Sequence, residues 1–374
     1  MKGLVVWAQS ACRSQMGLYR GLGKALGVPV VVPVWFYKKK AGYVSNRNEV
    51  GFCDDEFADM TVLPVGEDRA AGLKVLDEHP GWNHLFCNYQ GSENFRWLQL
   101  EAVRRGERTA IGSESPCNMF FGWRKWAKEV YYRTQLKWRV AEVLRTSSFF
   151  VNYSGNDSVN ARVIGWPMEK IIPFGYFPPP IVGTKCVRRT SNTSFEILAT
   201  GEMTLHRGSD VLVRALSVLT KRGVPYHATI TQKGPLLDSL KDYARRENLP
   251  VDFTGFLPIQ DLHRAYETCS VYVGAGRREP WGMRLNDALN CGAPLVVSRG
   301  MGGVKMVDDY GCGVTFENEN VEDLAHQLER MATDAPFYQG CADRACQAAV
   351  SCSPENKAKE LVKIWEKGWP EWIA

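Results

Sequence analysis

The sequence contains no apolar run of about 18 residues, so it offers no membrane-spanning helix. Its N-terminal apolar stretch, Met1 to Ala8, turns polar at Gln9 and Ser10; it is too short for a secretory signal and reads as a first strand. The 11 cysteines include no Cys-x-x-Cys pair, and Cys341, Cys346 and Cys352 have poor spacing for zinc. Free thiols, a cytoplasmic setting and no metal are therefore expected. Internal repeats of solenoid length and low-complexity tracts are also missing.

What is present suits a globular protein: 374 residues, 45% hydrophobic and 23% charged, with a formal net charge of +5. That length exceeds one ordinary core, and two domains are expected over 1–178 and 179–352, with a tail at 353–374 packing back on the first. Apolar runs alternate with amphipathic stretches, the pattern of βα units around parallel sheets, which bind ligands at strand C-terminal ends. Strands are expected at 4–7, 30–34, 84–88, 109–112 and 149–151, with a helix over 17–26. Residues 173–189, with consecutive prolines at Pro178, Pro179 and Pro180, read as an extended connector.

Beyond it the pattern is clearer. Strands at 195–200, 226–231, 251–254, 270–274 and 294–298 alternate with helices at 209–221, 236–246, 259–268 and 282–290; further helices follow at 321–333 and 355–366. This is a doubly wound α/β domain.

The densest motif, Arg277-Arg278-Glu279-Pro280-Trp281-Gly282-Met283-Arg284-Leu285-Asn286-Asp287, joins a strand end to a helix start. Free N–H groups there, with the positive end of the helix dipole, suit a diphosphate, and Gly282 permits close approach. The amides of Trp281, Gly282, Met283 and Arg284 are candidate anion ligands; Glu279 would face sugar hydroxyls and Asp287 ribose hydroxyls. The alternative is that both acids serve the helix N-terminus electrostatically.

A second strand-to-helix turn, Gly201-Glu202-Met203-Thr204-Leu205-His206-Arg207-Gly208, carries a guanidinium able to bind phosphate in a bidentate fork. A third, Gly300-Met301-Gly302-Gly303, is either a phosphate-side loop or a plain connection.

The spacing of Glu279 and Asp287, the following DALNCGAPLVVS and the preceding VDFTGFL resemble the retaining glycosyltransferases of family 4, in the two-domain GT-B fold class. The resemblance covers about 195–315 well and the rest in outline. It implies two Rossmann-like domains facing a cleft, a nucleoside diphosphate sugar as donor, and transfer with retention to a saccharide or lipid-linked acceptor. The pathway implied is bacterial surface polysaccharide or lipopolysaccharide synthesis.

By that resemblance Glu279 and Arg207 are catalytic, and Gly208, Gly255, Phe256, Trp281, Gly282, Met283, Arg284, Asp287, Gly302 and Gly303 bind the donor. Asp287 stands where the family usually has Glu, and Glu202 where it usually has Arg; Glu202 could pair with Arg277 or Arg278. Gly17, in Gln15-Met16-Gly17-Leu18, falls where GT-B enzymes place a donor-side glycine loop, or it belongs to a simple βα turn. Glu114, just past a strand, falls where relatives present a histidine to the sugar; it would orient an acceptor hydroxyl or stabilise anomeric charge, or else cap a loop. The absence of any Asp-x-Asp triplet disfavours a metal-clamping GT-A enzyme, and no cofactor is expected. A non-catalytic sugar-nucleotide-binding scaffold and a GT-B epimerase stand as rivals.

Residues 120–139, FFGWRKWAKEVYYRTQLKWR, interleave Trp123, Trp126 and Trp138 with six cations against Glu129 alone. The mixture suits an interfacial helix on anionic lipid, hence peripheral attachment to the inner membrane face. The alternative is a partly buried core helix with a solvated basic face; no nucleic-acid-binding motif accompanies it.

Overall fold

Short runs rich in β-branched residues, each followed by an amphipathic helix, form two parallel sheets in the computed structural model, which describes residues 1–35, 59–87, 89–90, 92–117, 119–155, 159–181, 183–187 and 194–374. The chain divides into two compact units, 1–179 with 352–374 and 180–351. Asn88, Val182, Arg188 and Arg189, which fall in an expected strand and connector, lie outside the described residues.

The first unit contains β1 (Leu4–Trp7), β2 (Val30–Val34), β3 (Thr61–Pro64), β4 (Asn83–Phe86), β5 (Thr109–Ser113), β6 (Phe150–Asn152) and β7 (Ile171–Pro173). Their order is β3-β2-β1-β4-β5-β6-β7, with parallel pairings, so connectivity reverses between β1 and β4. The central strands β1 and β4 are buried along their whole length, as expected of strands covered on both faces.

Two sheet-side helices meet through small residues. Gly17 and Gly21 of helix Arg13–Leu26 face helix Pro354–Gly368, where a Cβ on Gly21 would lie 2.8 Å from the Ala358 Cβ. The chain end then closes over Phe149: the rings of Trp365, Trp369 and Trp372 sit 5.4, 5.0 and 4.9 Å from it, and the Asn83 amide donates to the Trp372 carbonyl. Full burial of Trp365 and Trp372 makes residues 354–373 part of this unit's core.

The second unit contains β8 (Glu196–Thr200), β9 (His227–Thr231), β10 (Val251–Gly255), β11 (Val271–Gly274), β12 (Leu295–Ser298) and β13 (Gly313–Phe316), in the order β10-β9-β8-β11-β12-β13. Helix Ser209–Lys221 buries Val211, Leu212, Ala215, Leu216 and Leu219, one face at helical spacing, into the principal core. The reversal falls between β8 and β11, where a doubly wound sheet opens a crevice beyond its strand ends.

Three strands depart from expectation: β3, β7 and β13 are sheet edges and were not anticipated. Edge strands are short and less buried, so they carry the weakest hydrophobic signal. β7 ends on Pro173, tolerated because an edge need not donate every ladder bond. Helix Arg13–Leu26 begins four residues before the expected start, because Cys12 is the extended residue that opens it (φ −99°, ψ 142°).

Candidate active site

At the β8/β11 reversal three loops converge, each running from a strand end into a helix. After β8 the chain forms a 3-10 turn, Leu205–Arg207, then Gly208 in the left-handed region (φ 69°), then helix Ser209–Lys221. A side chain at Gly208 would overlap the Ala275 carbonyl, so the loops after β8 and β11 approach backbone to backbone. After β11, Gly282 is also left-handed (φ 99°) and opens helix Met283–Asn290. The first amides of that helix, at Met283 and Arg284, have no acceptor within it.

Backbone bonds lace the loops together. The Arg277 N–H donates to the His206 carbonyl at 2.8 Å. Glu279 is held on both sides: its N–H donates to Gly300 at 3.2 Å, and its carbonyl accepts from Gly302 at 2.9 Å, a one-residue parallel bridge to Met301. Gly303 donates to the Trp281 carbonyl at 2.8 Å, and buried Trp281 donates its indole N–H to Asn286 at 2.8 Å. A Cβ at Gly303 would come within 2.6 Å of that Trp281 carbonyl. The glycine-rich turn after β12 thus fixes the Glu279 segment, and the Gly302 and Gly303 amides are spent on that task.

Arg277 is the brace. Its guanidinium grips Asp210 with bonds of 2.6 and 2.8 Å, donates to the Leu205 carbonyl at 2.6 Å and pairs with Glu319. Burial opposes ionisation of Asp210, but Arg277 outweighs it and holds the carboxyl below its usual range; Asp210 in turn raises the pKa of Arg277. Arg277, considered above as a partner for Glu202, is therefore engaged elsewhere, and Glu202 is exposed.

On this scaffold Arg207 Nη1 meets Glu279 Oε2 at 2.5 Å, with side chains 33% and 12% exposed. Arg207, Thr200, Gly201, Ser209 and Ala275 line a small cavity at the ends of β8 and β11. The Arg207 Nε is buried without an acceptor. His206 lies alongside; partial burial and the nearby Arg207 lower its pKa, which favours a neutral ring.

A second polar group adjoins the end of β8. The Thr200 hydroxyl lies 3.0 Å from the hydroxyls of Tyr266 and Tyr272. Burial raises both phenols, Tyr272 to about 12, so both remain protonated donors. Asp287 sits 3.4 Å from Arg284; burial works against the Arg284 charge, but Tyr266 and Asp287 more than restore it. Asp287 thus has a half-buried cation one helical turn away. Thr200, Tyr266, Tyr272 and Asp210 carry no role in the sequence reading, and Arg277 enters it only as a partner for Glu202, because nothing local marks a residue whose partner comes from another loop.

The other expected site residues belong to a different strand end of this unit or to the first unit. Gly255 (φ 70°) ends edge strand β10, with Phe256 exposed beside it. In the first unit, Glu114 follows β5; its carbonyl accepts from Gln90 at 2.9 Å, and its carboxylate, after burial, helps raise the Tyr176 hydroxyl. Gly17 requires correction: it lies inside helix Arg13–Leu26, buried 3.0 Å from Pro354 and 3.1 Å from Pro179 by its missing Cβ, and not in a phosphate-facing loop.

Residues 187–347 match the family model of the glycosyl transferases group 1. An uncharacterised glycosyltransferase of Methanocaldococcus jannaschii is 27% identical over 175 residues, 46% of this chain and 44% of that protein. The GDP-mannose-dependent alpha-(1-6)-phosphatidylinositol dimannoside mannosyltransferase of Mycobacterium tuberculosis is 33% identical over 110 residues, 29% of this chain and 28% of that one. The chain thus spans less than half the length of these curated relatives.

Among solved structures, Anabaena HepE in complex with UDP superposes with a TM-score of 0.65 at 13% identity, covering 98% of this chain and 100% of that one. The lipopolysaccharide outer core galactosyltransferase WaaB in its apo form gives 0.65 at 11%, covering 97% and 99%. At these identities the likeness is one of fold, and it is the GT-B fold of two Rossmann-like parallel-sheet domains expected from the sequence. Residues 187–347 are accordingly similar to the glycosyl transferases group 1, within a chain of that fold.

Proposed function

We propose that this protein is a retaining glycosyltransferase that moves a sugar from a nucleoside diphosphate sugar to a saccharide or lipid-linked acceptor in bacterial surface polysaccharide or lipopolysaccharide synthesis. The observation that carries the reading is the Arg207–Glu279 pair at 2.5 Å, set at the sheet reversal between two helix-opening glycine turns. The names of the relatives, which include a nucleotide-sugar-dependent mannosyltransferase and a lipopolysaccharide galactosyltransferase, agree with it.

In this reading the diphosphate lies against the Gly282 turn and the first amides of helix Met283–Asn290, and Arg207 turns from Glu279 to the phosphates. The buried Arg207 Nε gains its missing acceptor in the process. Freed from the guanidinium, the Glu279 carboxylate accepts hydrogen bonds from the sugar ring; Asp287 and the Thr200–Tyr266–Tyr272 group lie toward the nucleoside. As the glycosidic bond breaks, charge grows on the leaving diphosphate, where fixed donors bind the transition state more strongly than the ground state. Glu114 serves the acceptor side. No metal or cofactor is assigned a role.

Incubation of the pure protein with UDP-, GDP-, ADP-, CMP- and TDP-sugars and candidate acceptors tests the reading. Release of nucleotide dependent on acceptor, with the donor's anomeric configuration kept in the product by NMR, is expected. A donor that binds yet is never transferred would favour the scaffold, and a new sugar nucleotide formed without acceptor would favour an epimerase.

A further inference from the structure

Helix Trp123–Tyr131 has nine residues and buries none of them. A helix that short is marginal in water unless tertiary packing supports it. Packing begins at its last residue, Tyr131, which is half-buried against the core, and continues in the next turn, where Tyr132 and Leu136 are buried in a π-helical segment, followed by Val140, Val143 and Leu144 of helix Lys137–Thr146. The helical run is therefore anchored from Tyr131 onward, and the stretch before it buries no side chain.

That unburied stretch is not polar. Trp123, Trp126 and Val130 recur at positions i, i+3 and i+7, one helical face, and are 74%, 70% and 40% exposed. On an ordinary surface helix that stripe would face the core. Met119, Phe120 and Phe121, just before it, are 40% exposed or more, and Trp138 just after it is 81% exposed. Arg124, Lys125 and Lys128 occupy the flanking positions of the same helix, with Arg133, Lys137 and Arg139 following, against the single acid Glu129.

We propose that residues 119–138 form a docking surface for an anionic lipid bilayer, with Trp123, Trp126 and Val130 seated at the headgroup boundary and the flanking cations on lipid phosphates. Tryptophan favours that depth because its ring is apolar and its N–H is polar. Among the described residues no helix is long and apolar enough to cross a membrane, so attachment through this element is at the surface. A second copy of the chain fits poorly, since a self-complementary contact would set the cationic cluster against itself. Nucleic acid is served less well: base stacking needs flat aromatic platforms, whereas Met119 and Val130 add aliphatic bulk to the same surface. The surface arises from the β5 connection that also carries Glu114, so membrane seating and the acceptor-side residue share one segment of chain. The inference holds or fails independently of the donor reading.

Flotation of the full chain with vesicles tests it. At low salt the protein is expected to rise with phosphatidylcholine vesicles containing about a third phosphatidylglycerol, and about tenfold less with phosphatidylcholine alone. W123S/W126S should reduce flotation by about tenfold or more, and R124E/K125E/K128E should erase the preference for anionic lipid. Trp123, Trp126, Arg124 and Lys125 are exposed, so W123S/W126S should keep the wild-type melting temperature; because Lys128 is half-buried over the Tyr131 and Tyr132 rings, R124E/K125E is the control that loses the anionic preference without that packing. Absence of flotation at low salt, or flotation unchanged in these variants, overturns the proposal. So does an exposed-Trp variant that converts a dimer to a monomer in sedimentation, or one that loses an oligonucleotide, without any vesicle binding by the wild type.

Discussion

Arg277 and Asp210 form a two-pronged ion pair, 2.6 and 2.8 Å, that ties the loop after β11 to the first turn of the helix after β8. Both side chains are nearly buried, at 11% and 13% exposure, so removing Arg277 strands the Asp210 charge. Arg277→Ala is expected to cost about 2–3 kcal/mol, a fall of about 2–4 °C in Tm per kcal/mol for a domain of this size. Arg277→Lys should recover only part, because a point charge cannot reproduce the fork. Since Asp210 titrates below its unfolded value in the native state, its contribution is complete above about pH 4 and is lost as the pH falls through the native pKa. Thermal melts across the acid range, with Arg277→Ala losing that part of the slope, check the assignment.

The Arg207–Glu279 pair leads to a different expectation. In the proposed donor complex the diphosphate takes the guanidinium that Glu279 holds in the free protein, so acid and phosphate would compete for Arg207. Glu279→Gln should bind a free nucleoside diphosphate as tightly as the wild type or a few-fold better, while turnover falls about 100-fold or more through loss of transition-state contacts. Arg207→Ala should weaken the same nucleotide by about 10- to 100-fold, the loss of a charge-assisted bond. Calorimetry beside initial rates separates the two, and parallel losses of affinity in both variants would remove Glu279 from the sugar side.

Much of this site could be read in the sequence because its parts are contiguous. Glu279, Gly282 and Asp287 occur in one strand-to-helix turn, and Arg207 and Gly208 in another, so local chemistry announces both. What the sequence did not disclose depends on contact between loops: the Arg277–Asp210 fork, the Glu279–Met301 bridge and the Thr200–Tyr266–Tyr272 group each join segments far apart in the chain. The interior strands of both sheets were legible as continuous apolar runs, while β3, β7 and β13 escaped notice because an edge strand need satisfy only one neighbour. Gly17 shows the opposite failure. A glycine after a first strand suggests a loop, yet its lack of a side chain here admits a neighbouring helix.

Two glycines with the same backbone conformation give a matched test of loop contact. Gly208 and Gly223 have φ of 69° and 73°, but a Cβ at Gly208 would strike the Ala275 carbonyl, whereas none lies within 4 Å of one at Gly223. Gly223→Ala should cost only the left-handed strain, about 1–2 kcal/mol. Gly208→Ala adds the collision and should lower Tm further, and it should weaken nucleotide binding because Arg207 immediately precedes it. Equal melting temperatures for the two variants would show that the loops after β8 and β11 are not in backbone contact.

His84 gives the first unit a pH dependence of its own. Buried in β4, it accepts the Trp7 indole N–H on Nδ1 at 3.0 Å, a bond that requires a neutral ring, and burial lowers its pKa to about 3. The unfolded chain takes up a proton near pH 6.5 and the native ring does not, so the unfolded state binds more protons below that value. The sign follows: stability from His84 is complete above pH 6.5 and declines steadily as the pH falls toward 3. His84→Gln, which keeps an acceptor for Trp7 but cannot titrate, should be less stable at pH 7 and show a shallower loss of Tm between pH 6.5 and 4.5, by up to about 4 °C per pH unit, since one proton is worth about 1.4 kcal/mol per unit. Melts of both proteins over that interval decide the matter; parallel curves would mean that His84 titrates in the native state as it does in the unfolded chain.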